Sequence, residues 1–444
     1  MSETLQSVGI DLGTSTTQLI HSRLTLENTA PAFTVPRMEI SKREILYRSP
    51  IHFTPLLNAD TLDAAAIGDL ITGEYDRAGI CPEEIQTGAV IITGETARKE
   101  NARAVLAAIS HLAGTFVVAT AGPALESVLA ARGAGADVYA REHGKWVLHL
   151  DIGGGTTNLA RIDPQGKIVE TGCLNVGGRL VKLDPQGTVT YVSPVLKGFP
   201  APRVGERATP ETLSPLLDRL VAVLEEAVGL SPPTALLLGQ ITDKTVKTDP
   251  MPEVLSFSGG VAALLEQEEP WLAYGDLGVL LAAKIRASKL MALPHILGRE
   301  TIRATVVGAG SHATELSGST VFYRGVAFPL QDLPVAAWTG QGLREPAAVA
   351  LPGRVVTGYD SLIRLAEGLT RAASTLPPCA PLAVVLEQDV AKALGQALAT
   401  LLPPERPILC LDSLSLPPES FLDVAAPVGG GTALPVVIKT LAFS

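Results

Sequence analysis

A chain of 444 residues that is 46% hydrophobic and 18% charged has enough apolar material for a large core, which excludes wholesale disorder. Its net charge of −10 argues against non-specific nucleic-acid binding, which needs Lys and Arg to neutralise phosphates. No apolar run reaches the length of a spanning helix, and no basic N-terminal region precedes an apolar stretch, so a membrane anchor and a signal peptide are not expected.

The elements are predicted in chain order. Residues 7–13 read as a strand ending in a turn, and 15–26 as a second strand with β-branched residues. A third strand, 44–54, is interrupted by Pro50. A helix is expected over 60–79, a buried strand over 88–93, an Ala-rich helix over 96–113, a strand over 115–120 and a helix from Pro123 to Ala131. A similar order then recurs: strands at 146–154, 156–162 and 167–175, a helix at 210–229, a strand at 254–260, a helix at 276–289, and a closing strand at 303–311. Val117-Val-Ala-Thr-Ala-Gly pairs with Val306-Val-Gly-Ala-Gly-Ser in this scheme. The repeat of roughly 140–160 residues is too long for a solenoid. It predicts two α/β halves, 1–145 and 146–311, facing each other across a cleft, with a surface insertion near 184–209. Pro-rich joints mark a different region, 312–444, read as a C-terminal α/β domain with a strand and helix in 382–401 and a strand at 407–412. The four cysteines, Cys81, Cys173, Cys379 and Cys410, form no CxxC pair, so neither a zinc site nor a disulfide framework is expected.

Chemistry is concentrated in two glycine turns. A phosphate needs backbone N–H groups that approach it closely, which favours glycine, and nearby hydroxyls that donate further bonds. Asp11-Leu-Gly13-Thr14-Ser15-Thr16 follows the first strand, and Asp151-Ile-Gly153-Gly154-Gly155-Thr156-Thr157 follows its counterpart 140 residues later. Each aspartate ends a strand, where it can hold Mg²⁺ through water, as that ion takes few carboxylates. A third turn, Ser258-Gly259-Gly260, is assigned to the adenosine end of ATP, with Gly308-Ala309-Gly310 as a competitor. His111 and His312 are read as packing or surface residues.

The two loops, the helix before the second and the later Gly-Gly turn resemble the actin/Hsp70/sugar-kinase ATPase superfamily over residues 1–311. That resemblance implies a duplicated ribonuclease H-like core, with hinge helices near Gly122-Pro123-Ala124 and near Leu277–Ile285. In the chaperone branch an acidic residue opens the first hinge helix. Gly122 holds that place here, which leaves Glu95 or Glu126 as substitutes, and Glu126 is read first as a helix-surface or packing residue. An Asp of that branch is replaced by Asn158, and Lys99 is the only lysine suggested for the branch's catalytic lysine. Longer stretches, among them Leu46-Tyr-Arg-Ser-Pro-Ile-His-Phe-Thr-Pro, Ile91-Ile-Thr-Gly-Glu-Thr-Ala-Arg, Cys173-Leu-Asn-Val-Gly-Gly-Arg and Ala433-Leu-Pro-Val-Val-Ile-Lys, resemble the ethanolamine ammonia-lyase reactivating factors. What that implies is a slow Mg-dependent ATPase with ethanolamine ammonia-lyase and ATP/ADP as partners and no nucleic acid or membrane. Such a factor ejects damaged cobalamin so that adenosylcobalamin can rebind. The implied location is the cytoplasm, with a bacterial microcompartment as an associated site. The alternatives on the same fold are a small-molecule kinase, revealed by phosphate transfer to a metabolite, and an actin-like scaffold, revealed by nucleotide-dependent filaments.

Overall fold

A computed structural model of the chain describes residues 3–13, 16–30, 38–58, 61–92, 101, 105, 109, 118–120, 123–242, 244–312, 314–317, 320–343, 345–416 and 420–439. In the first half, Glu3–Leu12, Thr16–Asn28 and Met38–Arg48 form an antiparallel meander. Thr87–Ile92 and Val118–Thr120 extend it in parallel on the side of the first strand. The second half repeats the design: Val147–Ile152, Thr157–Ile162 and Ile168–Leu174 make the meander, and Val254–Ser258 and His295–Leu297 add the parallel pair. The strand order is the same in both sheets, so this is the duplicated actin/Hsp70-like architecture that the repeat implied. Strands 87–92, 147–152 and 157–162 are buried along their whole length, as expected where helices cover both faces of a sheet.

Local chemistry fixes the helices. Helix Ala64–Ala78 starts where Asp63 accepts the Ala66 N–H and stops at Gly79, which takes the left-handed conformation at φ 63°. Its Ile67, Ile71 and Tyr75 pack into the core with Val8, Ile10 and Val90. Helix Pro210–Val228 opens with Thr209 and Thr212 in a reciprocal cap and buries Leu213, Leu216, Leu217, Leu220 and Leu224. Helix Ala136–His143 was not anticipated. Of the expected Ala-rich helix 96–113, only Asn101, Val105 and Ile109 lie among the described residues.

Two expectations fail at the centre of the molecule. Segment 303–311 is not a strand: Ala304–His312 is a helix, and the true counterpart of strand 118–120 is His295–Leu297. The second hinge helix is therefore Ala304–His312, which crosses Pro123–Ala134, and not the segment around Leu277–Ile285. Helix Gly278–Arg286 packs instead against Pro210–Val228 in the core of the second half. The physical reason is backbone proximity. A Cβ on Gly308 would lie 2.0 Å from the Leu129 carbonyl oxygen, and one on Gly133 would lie 1.9 Å from that of Ala304. Glycines that look like strand turns in sequence are what let two helices cross main chain to main chain.

The segment 184–209, expected on the surface, also sends Val189, Leu196 and Ala208 into the second-half core. Beyond it, an eight-stranded mixed sheet gathers strands from Glu315–Leu316 to Pro435–Lys439. Helices Tyr359–Ala373 and Ala391–Leu401 pack on one face through Leu362, Ala366, Leu394 and Leu398. This sheet is fastened to the first half: Val428 and Ala433 pack with Leu5, Leu24 and Met38, and Arg132 of the first hinge helix pairs with Glu315 at 3.2 Å. Among the described residues no helix is long and apolar enough to cross a membrane.

Candidate nucleotide site

Both aspartate–glycine loops close with the same turn. The Gly13 N–H donates to the Thr16 carbonyl at 2.9 Å, and the Gly153 N–H donates to the Thr156 carbonyl at 2.9 Å. The anchors differ. The Thr54 hydroxyl donates to the Gly13 carbonyl at 2.7 Å, whereas main-chain N–H groups of Gly178 and Arg179 donate to the carbonyls of Gly153 and Gly154 at 3.0 and 2.6 Å. A Cβ on Gly177 would sit 2.4 Å from the Gly154 oxygen, so this second clasp is possible only with glycine.

The two loops open into one cleft of about 440 Å³. Asp11, Gly13 and Thr16 line it from the first half, and Asp151, Gly153, Gly154, Gly155 and Thr156 from the second. Gly259 and Gly260 complete the wall. Gly259 has φ 92° and its missing Cβ would meet the Ile152 oxygen at 2.4 Å, while Gly260 faces open space. Thr14, Ser15, Glu95, Lys99, His111 and Gly122 lie outside the described residues. Thr157 is a correction: it is fully buried and donates to the Val176 carbonyl at 2.7 Å, so it braces the loop and does not face the cleft. Successive strand residues point to opposite faces, and Thr156 has the open side. Gly308 belongs to the helix crossing and Gly310 packs against Gly9 and Ile20 of the first sheet, so neither competes for the cleft.

Several lining residues were missed or undervalued. Glu126, the only acidic residue of helix Pro123–Ala134, reaches the cleft because that helix follows the fifth strand into the centre of the molecule. Gln18, Arg179, Tyr274, Asp276 and Thr305 also line it. Arg179 lies over Gly154 and is held by Asp276 at 3.0 Å, and the other Asp276 oxygen accepts the Gly278 N–H at 2.7 Å. The sequence signal for Arg179 was its place directly after Gly177-Gly178; nothing local marked the others.

The cleft is electrostatically tense. Burial pushes the Glu126 carboxyl well above its ordinary pKa; the charges of Asp11 and Asp151 push the same way, and the Asn158 side chain opposes them. Burial likewise raises Asp151, against hydrogen bonds from Ser258 at 2.5 Å and Thr305 at 3.4 Å. Burial raises Asp276, against the Gly278 N–H and Arg179. Carboxylates facing one another in a confined space favour a cation between them. Each loop aspartate also stands opposite an amide in the sheet register, Asp11 opposite Gln18 and Asp151 opposite Asn158. Both amides are buried; Gln18 Oε1 has no hydrogen-bond partner among the described residues, and the Asn158 side chain lies against the Glu126 carboxyl. A buried amide oxygen of this kind is satisfied by ordered water or a hydrated ion. Among the described residues no three carboxylate, His or Cys groups are close enough to clasp a metal directly. That combination fits Mg²⁺, which keeps several waters, better than a closed metal cage.

The model of the family described as "Ethanolamine utilisation protein EutA" matches residues 3–343 and 335–444. The "Ethanolamine ammonia-lyase reactivase EutA" of Salmonella typhimurium is 38% identical over 465 residues, covering 99% of this chain and 98% of that protein. Its namesake in Escherichia coli is likewise 38% identical with the same coverage. Among solved structures, an Aquifex aeolicus member of the Ppx/GppA family is similar at a TM-score of 0.40 and 14% identity, over 69% of this chain and 97% of that one. The EutJ protein of Carboxydothermus hydrogenoformans is similar at a TM-score of 0.35 and 17% identity, over 68% of this chain and 88% of that one. By its match along almost its whole length, this chain belongs to the ethanolamine utilisation protein EutA family.

Proposed function

We propose that this chain is an ATP-dependent reactivase of ethanolamine ammonia-lyase, one that releases damaged cobalamin so that adenosylcobalamin can rebind. Two ethanolamine ammonia-lyase reactivases that align along 99% of the chain support the reading. The observation that carries its nucleotide part is the shared cleft: two turns of identical closure, one from each half, face each other across it.

In this reading the N–H groups of the Gly153–Gly155 loop and the Thr16 and Thr156 hydroxyls cradle the phosphates, and Gly259-Gly260 admits the adenosine. Thr14 and Ser15 are assigned to the same cradle from the sequence alone. Asp11 and Asp151 hold Mg²⁺ through its waters, which Gln18 and Asn158 help to order. The ion would supply charge neutralisation on the phosphates. Glu126 lines the same cleft. Arg179 is the only lining cation among the described residues, and Asp276 already neutralises it. Among the described lining residues little positive charge is left to stabilise a transition state, which supports slow turnover. Closure of the halves would turn the hinge helices against each other, and the third sheet, fastened at Arg132–Glu315 and around Met38, would carry that motion to the lyase. The protein would work in the cytoplasm, beside a lyase housed in a microcompartment.

The test is to incubate cobalamin-inactivated lyase with this protein, ATP, Mg²⁺ and fresh adenosylcobalamin. Recovery of deaminating activity that needs both ATP and this chain is expected. No recovery, where an authentic reactivase succeeds, would remove the assignment.

A further inference from the structure

We propose that Ser258 and His149 are positioning residues for the Asp151 carboxylate, set in a one-way hydrogen-bond chain that ties the Gly259-Gly260 turn to the metal-holding edge of the cleft. The inference rests on the nucleotide and Mg²⁺ reading above and adds to it how one end of the ligand is felt at the other. Strands Val147–Ile152 and Val254–Ser258 run parallel, with Ser256 beside His149 and Ser258 beside Asp151. Alternation puts all four side chains on one face of the sheet. His149, Ser256 and Ser258 are fully buried. Ser256 Oγ lies 3.0 Å from His149 Nδ1, Ser258 Oγ 2.9 Å from Nε2, and Ser258 Oγ donates to Asp151 Oδ1 at 2.5 Å.

An ionised carboxylate only accepts, so the Ser258 proton must point at Asp151. The Ser258 oxygen then accepts from His149 Nε2–H. A neutral imidazole has one donor and one acceptor, so Nδ1 accepts from Ser256. Every proton in the chain points toward Asp151, and such chains polarise one another. Ser258 is also the residue before the turn assigned to the adenosine, so a shift of that turn on binding changes the aim of the carboxylate. A purely packing role would not need two hydroxyls in a strand otherwise built from Val254, Leu255 and Phe257, or an imidazole facing them from the buried strand Val147–Ile152.

The experiment is calorimetry of the full chain with ATP, in EDTA and in Mg²⁺, together with the Mg²⁺ dependence of ATP hydrolysis. Ser258→Ala should cut the Mg²⁺-dependent gain in ATP affinity about tenfold, the worth of a hydrogen bond to a charged group. It should raise the Mg²⁺ needed for half-maximal turnover and leave ATP affinity in EDTA unchanged. Ser256→Ala, at the far end, should shift both in the same direction by a smaller factor, and it decides the matter should Ser258→Ala fail to fold. A wild-type Mg²⁺ requirement in the folded variants, or an equal loss of affinity in EDTA and in Mg²⁺, overturns the proposal. Wild-type protein that binds no ATP overturns the nucleotide reading instead.

Discussion

The same aspartate–glycine turn is built twice in this molecule and held in two different ways. The second loop is clasped by main chain: Gly178 and Arg179 reach the carbonyls of Gly153 and Gly154, and Asp151 is pinned by Ser258 and Thr305. In the first loop a side chain takes part: the Thr54 hydroxyl, which also contacts Thr17 at 3.2 Å, donates to the Gly13 carbonyl. Thr54 belongs to a stretch whose neighbours Ile51, Phe53, Leu56 and Leu57 are exposed, Phe53 at 80%. A main-chain clasp between glycines is stiff, because no rotamer can release it. Thr54 itself is buried, but its hydroxyl is on a side chain whose rotamer can change. The duplication therefore yields two loops of the same closure, one anchored by main chain and one in part by a side chain.

The comparison can be broken at its shared axis first. Gly308→Ala puts a methyl against the Leu129 carbonyl between the hinge helices, and it should destabilise the protein by about 3 kcal/mol, read by denaturant unfolding. Next, Gly177→Ala should displace the second loop, costing about 2 kcal/mol of stability and at least about tenfold in ATP affinity by calorimetry. Thr54→Val tests the side-chain anchor: loss of one hydrogen bond of about 1 kcal/mol should weaken ATP about fivefold with little change in stability. Equal effects of Gly177→Ala and Thr54→Val on stability would erase the distinction. A further test concerns pH. Burial, with Arg43 and Arg132 nearby, lowers the His312 pKa from 6.5 to about 3 at the end of the second hinge helix. The unfolded chain then binds a proton that the folded chain refuses. The associated stability is fully present above pH 6.5 and is lost as pH falls toward 3. His312→Asn should flatten that limb in unfolding curves measured across this range; an unchanged slope would show that His312 is not its source.

The sites of both loops were legible because their chemistry is local: an apolar strand, an aspartate at its end and glycines where an anion must approach the main chain. Gly259-Gly260 was legible for the same reason. Thr157 was misassigned because strand alternation sends it inward while Thr156 stays in the cleft. Glu126 was undervalued because only the tertiary course of its helix brings it beside Asp11 and Asp151. Residues 303–311 were read as a strand because a short apolar run carries no period that separates strand from buried helix. Gly308 there serves a helix crossing that no sequence window contains. The order of the two sheets was legible through the repeated meander, but matching the hinge helices needed the fifth strands, of which 295–297 has only three residues.

The central claim is that one triphosphate is gripped from both halves. Calorimetry with ATP, with and without Mg²⁺, on the wild type, Asp11→Ala and Asp151→Ala tests it directly. The account predicts one ATP per chain, bound more tightly with Mg²⁺, and loss of that Mg²⁺-dependent binding in each variant while both remain folded. Normal Mg²⁺-dependent binding in either variant would contradict it.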